Sequence, residues 1–266
     1  MRDNPMAKAL TRLATFAVAA LTFWSVSWWA SPGVALDKGG RRTVLIVTHT
    51  TGYRHASIEP AAQAIAEMAR QAGLEPEQVA DPSRFDRPLD TVRLIAFVST
   101  TTRRKDVSTE WLVGPRRDVL QAFVRGGGGV LGIHGAADSH YGWPWYGSMI
   151  GARFARHPAG TPEGELARTK GRHVALKGMP RRFRHVDEWY WFTDMAADIR
   201  PLVTLSARSI GEEGSDHHPV SWAREFEGGR VFYTSLGHTE AAWHDPVVLE
   251  HVRGGLLWAA RYPARQ

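Results

Sequence analysis

The chain has 266 residues, 43% hydrophobic and 23% charged, with a formal net charge of +6 and no cysteine. That length suits one large domain or two small ones and is ample for a buried core. The near-average composition excludes a collagen, a coiled coil and a wholly disordered chain. The absence of cysteine excludes a disulfide scaffold, a thiolate metal site, a cysteine nucleophile and a lipidated cysteine.

The chain begins with a targeting pattern over residues 1–35. Arg2, Lys8 and Arg12 precede an uncharged run from Leu13 to Leu36, and Gly33-Val34-Ala35 supplies small residues for cleavage. This order predicts a secretory signal peptide. The run Leu13 to Ala30 is also long enough for an uncleaved membrane anchor. Either way the body is expected outside the cytoplasm, periplasmic or extracellular, and touches a membrane only through this segment. Loss of Arg2, Lys8, Arg12 and Asp3 lowers the charge by two, to +4. The remaining clusters Arg103-Arg104-Lys105, Arg116-Arg117 and Arg181-Arg182 form no joined stripe, so they read as solvated surface and not as a nucleic-acid interface.

The body alternates strand and helix. Thr43 to Thr48, Leu94 to Ser99 and Val130 to His134 are short apolar runs that predict buried strands. Ser57 to Ala72 carries helical spacing, with Ser57 as N-cap and Gly73 as stop. Glu110 to Arg125 is a second helix, closed by the glycines at 126–129. Farther on, Gly164 to Ala175 and Pro201 to Arg208 read as strands, and Ala152 to Arg172 as the longest irregular stretch. Val220 to Arg224 and Arg230 to Ser235 pair around Glu227-Gly228-Gly229. A last helix runs from Pro246 to Ala260, capped by Asp245. The rhythm is that of a mostly parallel α/β sheet with an antiparallel edge.

Ligands in such sheets bind beyond the carboxyl ends of the strands. His49, Tyr53 and His55 follow the first strand, and Thr100, Thr101 and Thr102 the second. His134, Asp138 and His140 follow the third, and His238 and Glu240 the last. Gly132-Ile133-His134-Gly135-Ala136 has the form of a tight strand-to-helix elbow. A histidine there can act as acid, base or metal ligand. His134, Asp138 and His140, or Asp216, His217 and His218, could supply metal ligands, although no closed zinc spacing is present. A divalent cation is therefore left open as a cofactor. Asp187-Glu188-Trp189-Tyr190 sets carboxylates among aromatics, which suits proton transfer and also sugar binding. Trp145 is expected in the core, and Trp143 exposed beside a pocket.

These residues resemble the ThuA-like family, named for trehalose utilisation. The resemblance covers residues 43–260. It rests on Gly52-Tyr53-Arg54-His55, Gly132-Ile133-His134 with Asp138, Trp143-Pro144-Trp145-Tyr146, Gly151-Ala152-Arg153-Phe154, His157-Pro158, Asp187-Glu188-Trp189-Tyr190, His218-Pro219-Val220-Ser221-Trp222, and Gly229 to Thr239. It implies a flavodoxin-like, class I glutamine amidotransferase-like three-layer sandwich. That superfamily carries a catalytic cysteine at the elbow, where this chain has His134. Amidotransferase chemistry is therefore not implied. The resemblance implies a small carbohydrate as partner, a disaccharide or its 3-keto form, and leaves a homo-oligomer open. In this reading His134 and Glu188 are base and acid, His238 is a second proton carrier and Asp138 orients a histidine. Tyr53, His55, Trp143, Arg153, His157, His218 and Glu240 shape the substrate pocket. The alternative is a carbohydrate-binding or scaffolding protein that kept the fold without its nucleophile.

Overall fold

Five parallel strands form one half of a single sheet, four of them built from apolar runs. In the computed structural model, which describes residues 40–261, these are β1 (Thr43–Val47), β2 (Glu75–Val79), β3 (Val92–Val98), β4 (Gly129–Ile133) and β11 (Gly229–Thr234). The sheet continues through β10 (His218–Phe226), β9 (Arg200–Leu205), β6 (Glu163–Arg168) and β7 (Arg182–Val186). The spatial order is β2-β1-β3-β4-β11-β10-β9-β6-β7. Pairing is parallel from β2 to β11 and antiparallel from β11 to β7. Two short strands, β5 (Arg153–Arg156) and β8 (Trp191–Thr193), form a separate antiparallel pair. The N-terminal signal or anchor pattern lies outside the described residues. Among those residues, no helix is long and apolar enough to cross a membrane.

The period of two along each strand divides the core into two faces. Val44, Ile46, Leu131, Ile133 and Phe232 face α1 (Ile58–Gln71) and α4 (Pro246–Ala259). Leu45, Val47, Val130, Val231 and Tyr233 face α2 (Pro115–Arg125) and α3 (Pro144–Ile150). This is a three-layer α/β/α sandwich. The closing hairpin turns on Glu227 and Gly228, with φ of 45° and 93°. Two residues with positive φ fit the type I′ turn that matches strand twist.

Several expected boundaries shift for physical reasons. Ser57 is helical and makes no side-chain cap, whereas Asp245 does cap α4 by accepting from the Val247 N–H at 2.8 Å. The second helix begins at Pro115, not Glu110, because proline fits the first helical turn. The edge strand β2 was not expected, since Glu75-Pro76-Glu77-Gln78 carries no apolar run. The stretch 152–172 holds β5 and β6, and the strand expected over 164–175 spans Glu163–Arg168.

Leu131 is fully buried in central β4. Leu131→Ala should lower unfolding free energy by roughly 2–5 kcal/mol, the usual range for such a cavity. Urea denaturation followed by far-UV circular dichroism would measure it.

Candidate functional site

The carboxyl ends of β1, β4 and β11 bring three histidines together. His55 follows β1, His134 follows β4, and His238 follows β11. Glu188 reaches the same place from the β7–β8 connection. One ligand-capable atom from each of the four lies within 4.8 Å of every other.

The local sequence explains the elbow. His134 adopts φ of 43°, unusual for a residue with a Cβ. Small neighbours permit this turn. A Cβ on Gly132 would approach the Tyr233 ring at 3.0 Å, and one on Gly135 would meet Thr101 Cγ2 at 2.9 Å. Strain of this kind persists where the surroundings impose it, and it clusters at functional sites. The buried imidazole donates from Nδ1–H to the Ser235 carbonyl at 2.7 Å. A carbonyl can only accept, so in neutral His134 the free lone pair is on Nε2. The Tyr233 hydroxyl donates to the His134 carbonyl at 2.8 Å and pins the turn.

His134 Nε2 lies 3.3 Å from Glu188 Oε2 and 3.1 Å from His238 Nδ1. His238 Nδ1 lies 3.3 Å from the same carboxylate oxygen. Burial works to raise the Glu188 pKa, but hydrogen bonds and charge from His134 and His238 outweigh it and hold the carboxyl below its usual range. The same contact with Glu188 raises His238 against the opposing effect of burial. His55, buried beside His134 and His238, is pushed down to about 3 and stays neutral.

Asp187 has no solvent exposure and clamps this arrangement. Its carboxylate accepts from the N–H groups of Glu188 at 2.9 Å, Gly237 at 2.7 Å and His238 at 3.0 Å. Gly237 must be glycine, since φ is +111° and a Cβ would meet the Trp243 ring at 2.9 Å. Behind it, His185 lies 3.4 Å from Asp187 and 3.1 Å from Asp245. Burial disfavours charged His185, but the two carboxylates prevail and raise its pKa.

A cavity of about 300 Å³ opens above the cluster. His55, Glu188 and His238 line it with Tyr53, Asp138, Phe154, His157 and Tyr190. His157 Nδ1 is 3.3 Å from Glu188 Oε1. Tyr53 stands at the cavity, 67% exposed. A larger groove of about 1120 Å³ lies beside Arg168, Lys170, Arg181 and Arg182, but the ligand-capable cluster is not in it.

Other expected site residues take different roles, and apart from Asp138 they lie away from the cavity lining. Asp138 accepts from the Tyr141 hydroxyl and so orients a tyrosine, not a histidine. Trp143 is buried and Trp145 half-buried, the reverse of the expectation. Arg153 donates to the carbonyls of His140 and Trp143. His218 stacks on Trp191 and Phe192 and donates from Nε2–H to the Tyr190 carbonyl, so it supports the wall from behind. Glu240 starts an exposed 3-10 turn. His140 is buried among Trp111 and Tyr146, outside the cluster, and Asp216 is taken by Ser206 and Arg208. Neither expected ligand set therefore assembles. The sequence reading missed Asp187 as a clamp, and Phe154 and Tyr190 as walls. All three sat inside quoted motifs, but nothing in their spacing showed their direction.

The sheet order and the elbow define a flavodoxin-like sandwich of the glutamine amidotransferase type. A family model described as "ThuA: Trehalose utilisation" matches residues 43–259, and the chain belongs to that family. Its description associates the chain with carbohydrate metabolism. Two solved structures described as putative ThuA-like proteins are similar, each covering 84% of this chain and 92% of theirs, with TM-score 0.67. That from Bacteroides uniformis is 21% identical and that from Parabacteroides merdae 18%. A glutamine amidotransferase from Thermotoga maritima shares the fold at TM-score 0.51 and 12% identity, covering 83% of this chain and 98% of its own. No curated protein matches the chain.

Two outcomes follow from the clamp. Asp187→Ala strips the Gly237 and His238 amides of a charged acceptor. It should cost roughly 1.5–3 kcal/mol per bond lost, read by thermal melts, with faster hydrogen exchange at both amides. The raised pKa of His185 adds stability that is fully present below the unfolded value near 6.5. That contribution is lost as pH rises through the higher folded value. A series of melts across this window should show the loss in the parent and not in His185→Gln.

Proposed function

We propose that the chain is an enzyme acting on a disaccharide or its 3-keto form, with the His134–Glu188–His238 cluster moving the protons. The observation that carries this reading is the triangle of nitrogen and oxygen atoms at the floor of an aromatic-walled cavity. Its volume of about 300 Å³ is at the lower end of ligand pockets. Tyr53 and Phe154 offer aromatic surface for sugar C–H groups, buried Tyr190 backs them, and Asp138 and His157 offer hydrogen-bonding atoms.

A carbonyl at C3 of the sugar acidifies the C2 proton. Ionised Glu188 lines the cavity and is the acceptor placed to remove that proton, with buried His134 behind it. The depressed pKa of Glu188 favours the acceptor role for it, where the sequence reading made it the acid. The raised pKa of His238 suits it to protonate the leaving oxygen. The electron pair of the C2–H bond forms the C1–C2 double bond as the C1–O bond breaks. The products are an unsaturated keto-sugar and the released sugar, with no change in net oxidation state. Addition of water to the double bond would make the overall reaction a hydrolysis.

The test is turnover of trehalose-type disaccharides and their 3-keto forms, followed by NMR in deuterated water. The expected outcome is release of a free sugar from the keto form. Glu188→Gln and His238→Ala should each slow it by about 10²–10⁴-fold, the usual share of general acid–base catalysis. Unchanged turnover in both variants would overturn the assignment. Binding without any turnover by the parent would favour a carbohydrate-binding protein instead.

A further inference from the structure

The triangle at the pocket floor has a second physical property. Its edges are 3.1, 3.3 and 3.3 Å. Bonds of about 2.0–2.1 Å at tetrahedral angles around zinc separate ligand atoms by about 3.3–3.4 Å. His134 Nε2, His238 Nδ1 and Glu188 Oε2 are therefore spaced as three ligands of one small cation.

Two further observations point the same way. His134 Nδ1–H is committed to the Ser235 carbonyl, the bond that commonly orients a metal-binding imidazole and frees its other nitrogen. That free Nε2 faces a carboxylate oxygen, so acceptor meets acceptor unless a positive charge lies between them. His55 brings an additional imidazole into the cluster, and its Nδ1 is buried with no hydrogen-bond partner. A buried unpaired nitrogen is costly, and a neutral imidazole is the ligating form.

We propose that His134, His238 and Glu188 bind a divalent first-row transition-metal ion, with His55 beside it and the fourth position open toward the cavity. Imidazole-rich ligands favour zinc and its neighbours over magnesium or calcium. The ion would supply the positive charge that Glu188 otherwise draws from protonated His238. At the open position it would acidify a water or polarise a substrate oxygen. With their lone pairs on the ion, Glu188, His134 and His238 would no longer exchange protons at those atoms, and hydroxide formed from that water would be the proton acceptor. Ion binding goes beyond the proposed function and does not depend on the substrate.

The test uses full-length protein without a histidine tag, stripped by a chelator. It is titrated with Co2+ by visible absorption and with Zn2+ by calorimetry. The expected result is one ion per chain, with a cobalt band from a nitrogen- and oxygen-rich site. His134→Ala and His238→Ala should weaken binding by more than about 10-fold, the loss that even an outer-shell change brings. His55→Gln, a milder change, should also weaken it. His244→Ala, exposed and outside the cluster, should bind like the parent. Metal-free melting curves check that each variant is folded. No saturable binding, or binding that the cluster substitutions leave unchanged, would overturn the inference. Sugar release by stripped protein that binds no ion overturns it and leaves the proposed function standing. Ion binding without turnover of any carbohydrate does the reverse.

Discussion

The hydrogen bond from His134 Nδ1–H to the Ser235 carbonyl joins the ends of two adjacent parallel strands, β4 and β11. It fixes the imidazole where the backbone itself is turned into a left-handed conformation. Much else is arranged to allow it. Gly132 and Gly135 leave room for the turn, Tyr233 ties down the His134 carbonyl, and both strands are buried on both faces. A side chain held this way has little rotamer freedom left to lose when a ligand arrives. That rigidity is the form of preorganisation that reactive centres need.

Charge follows from the same bond. Once Nδ1 is committed, Nε2 points at Glu188, and the carboxylate needs a positive partner. His238 provides one when protonated, and its place depends on Asp187 holding the Gly237–His238 amides. Asp187 is itself a buried charge, satisfied by three backbone N–H groups and by His185. Two acidic residues side by side in the sequence thus have opposite tasks. Asp187 holds backbone and faces inward, while Glu188 faces the cavity.

This also explains what was legible in the sequence. His55, His134 and His238 could be placed because each follows an apolar strand, and parallel strands deliver such residues to one edge. Glu188 was marked by carboxylates set among aromatics. Arg153, Trp143, His218 and Glu240 belonged to equally distinctive motifs, yet three support the walls or core and Glu240 lies on an exposed turn. A motif records that a residue type matters at a position, not which way its side chain points. Trp143 and Trp145 were interchanged for that reason, Trp143 being buried and Trp145 half-buried. Likewise β2 escaped notice because an edge strand can hold its place through backbone pairing to β1 with little apolar content.

The likeness to a glutamine amidotransferase shows the fold alone, yet the elbow invites a physical comparison. A thiolate at such a turn attacks carbon and forms a bond. An imidazole anchored through Nδ1 is poorly placed to do that, because its Nε2 faces an ionised carboxylate and a second imidazole at 3.1 to 3.3 Å. What this arrangement favours is a small positive charge at its centre, a proton in transit or a metal ion. Both options use the lone pair to hold a cation and not to attack a substrate. On either proposed reading the same backbone turn would support a different kind of chemistry, and the difference lies in what the carboxylate of Glu188 demands of its neighbours.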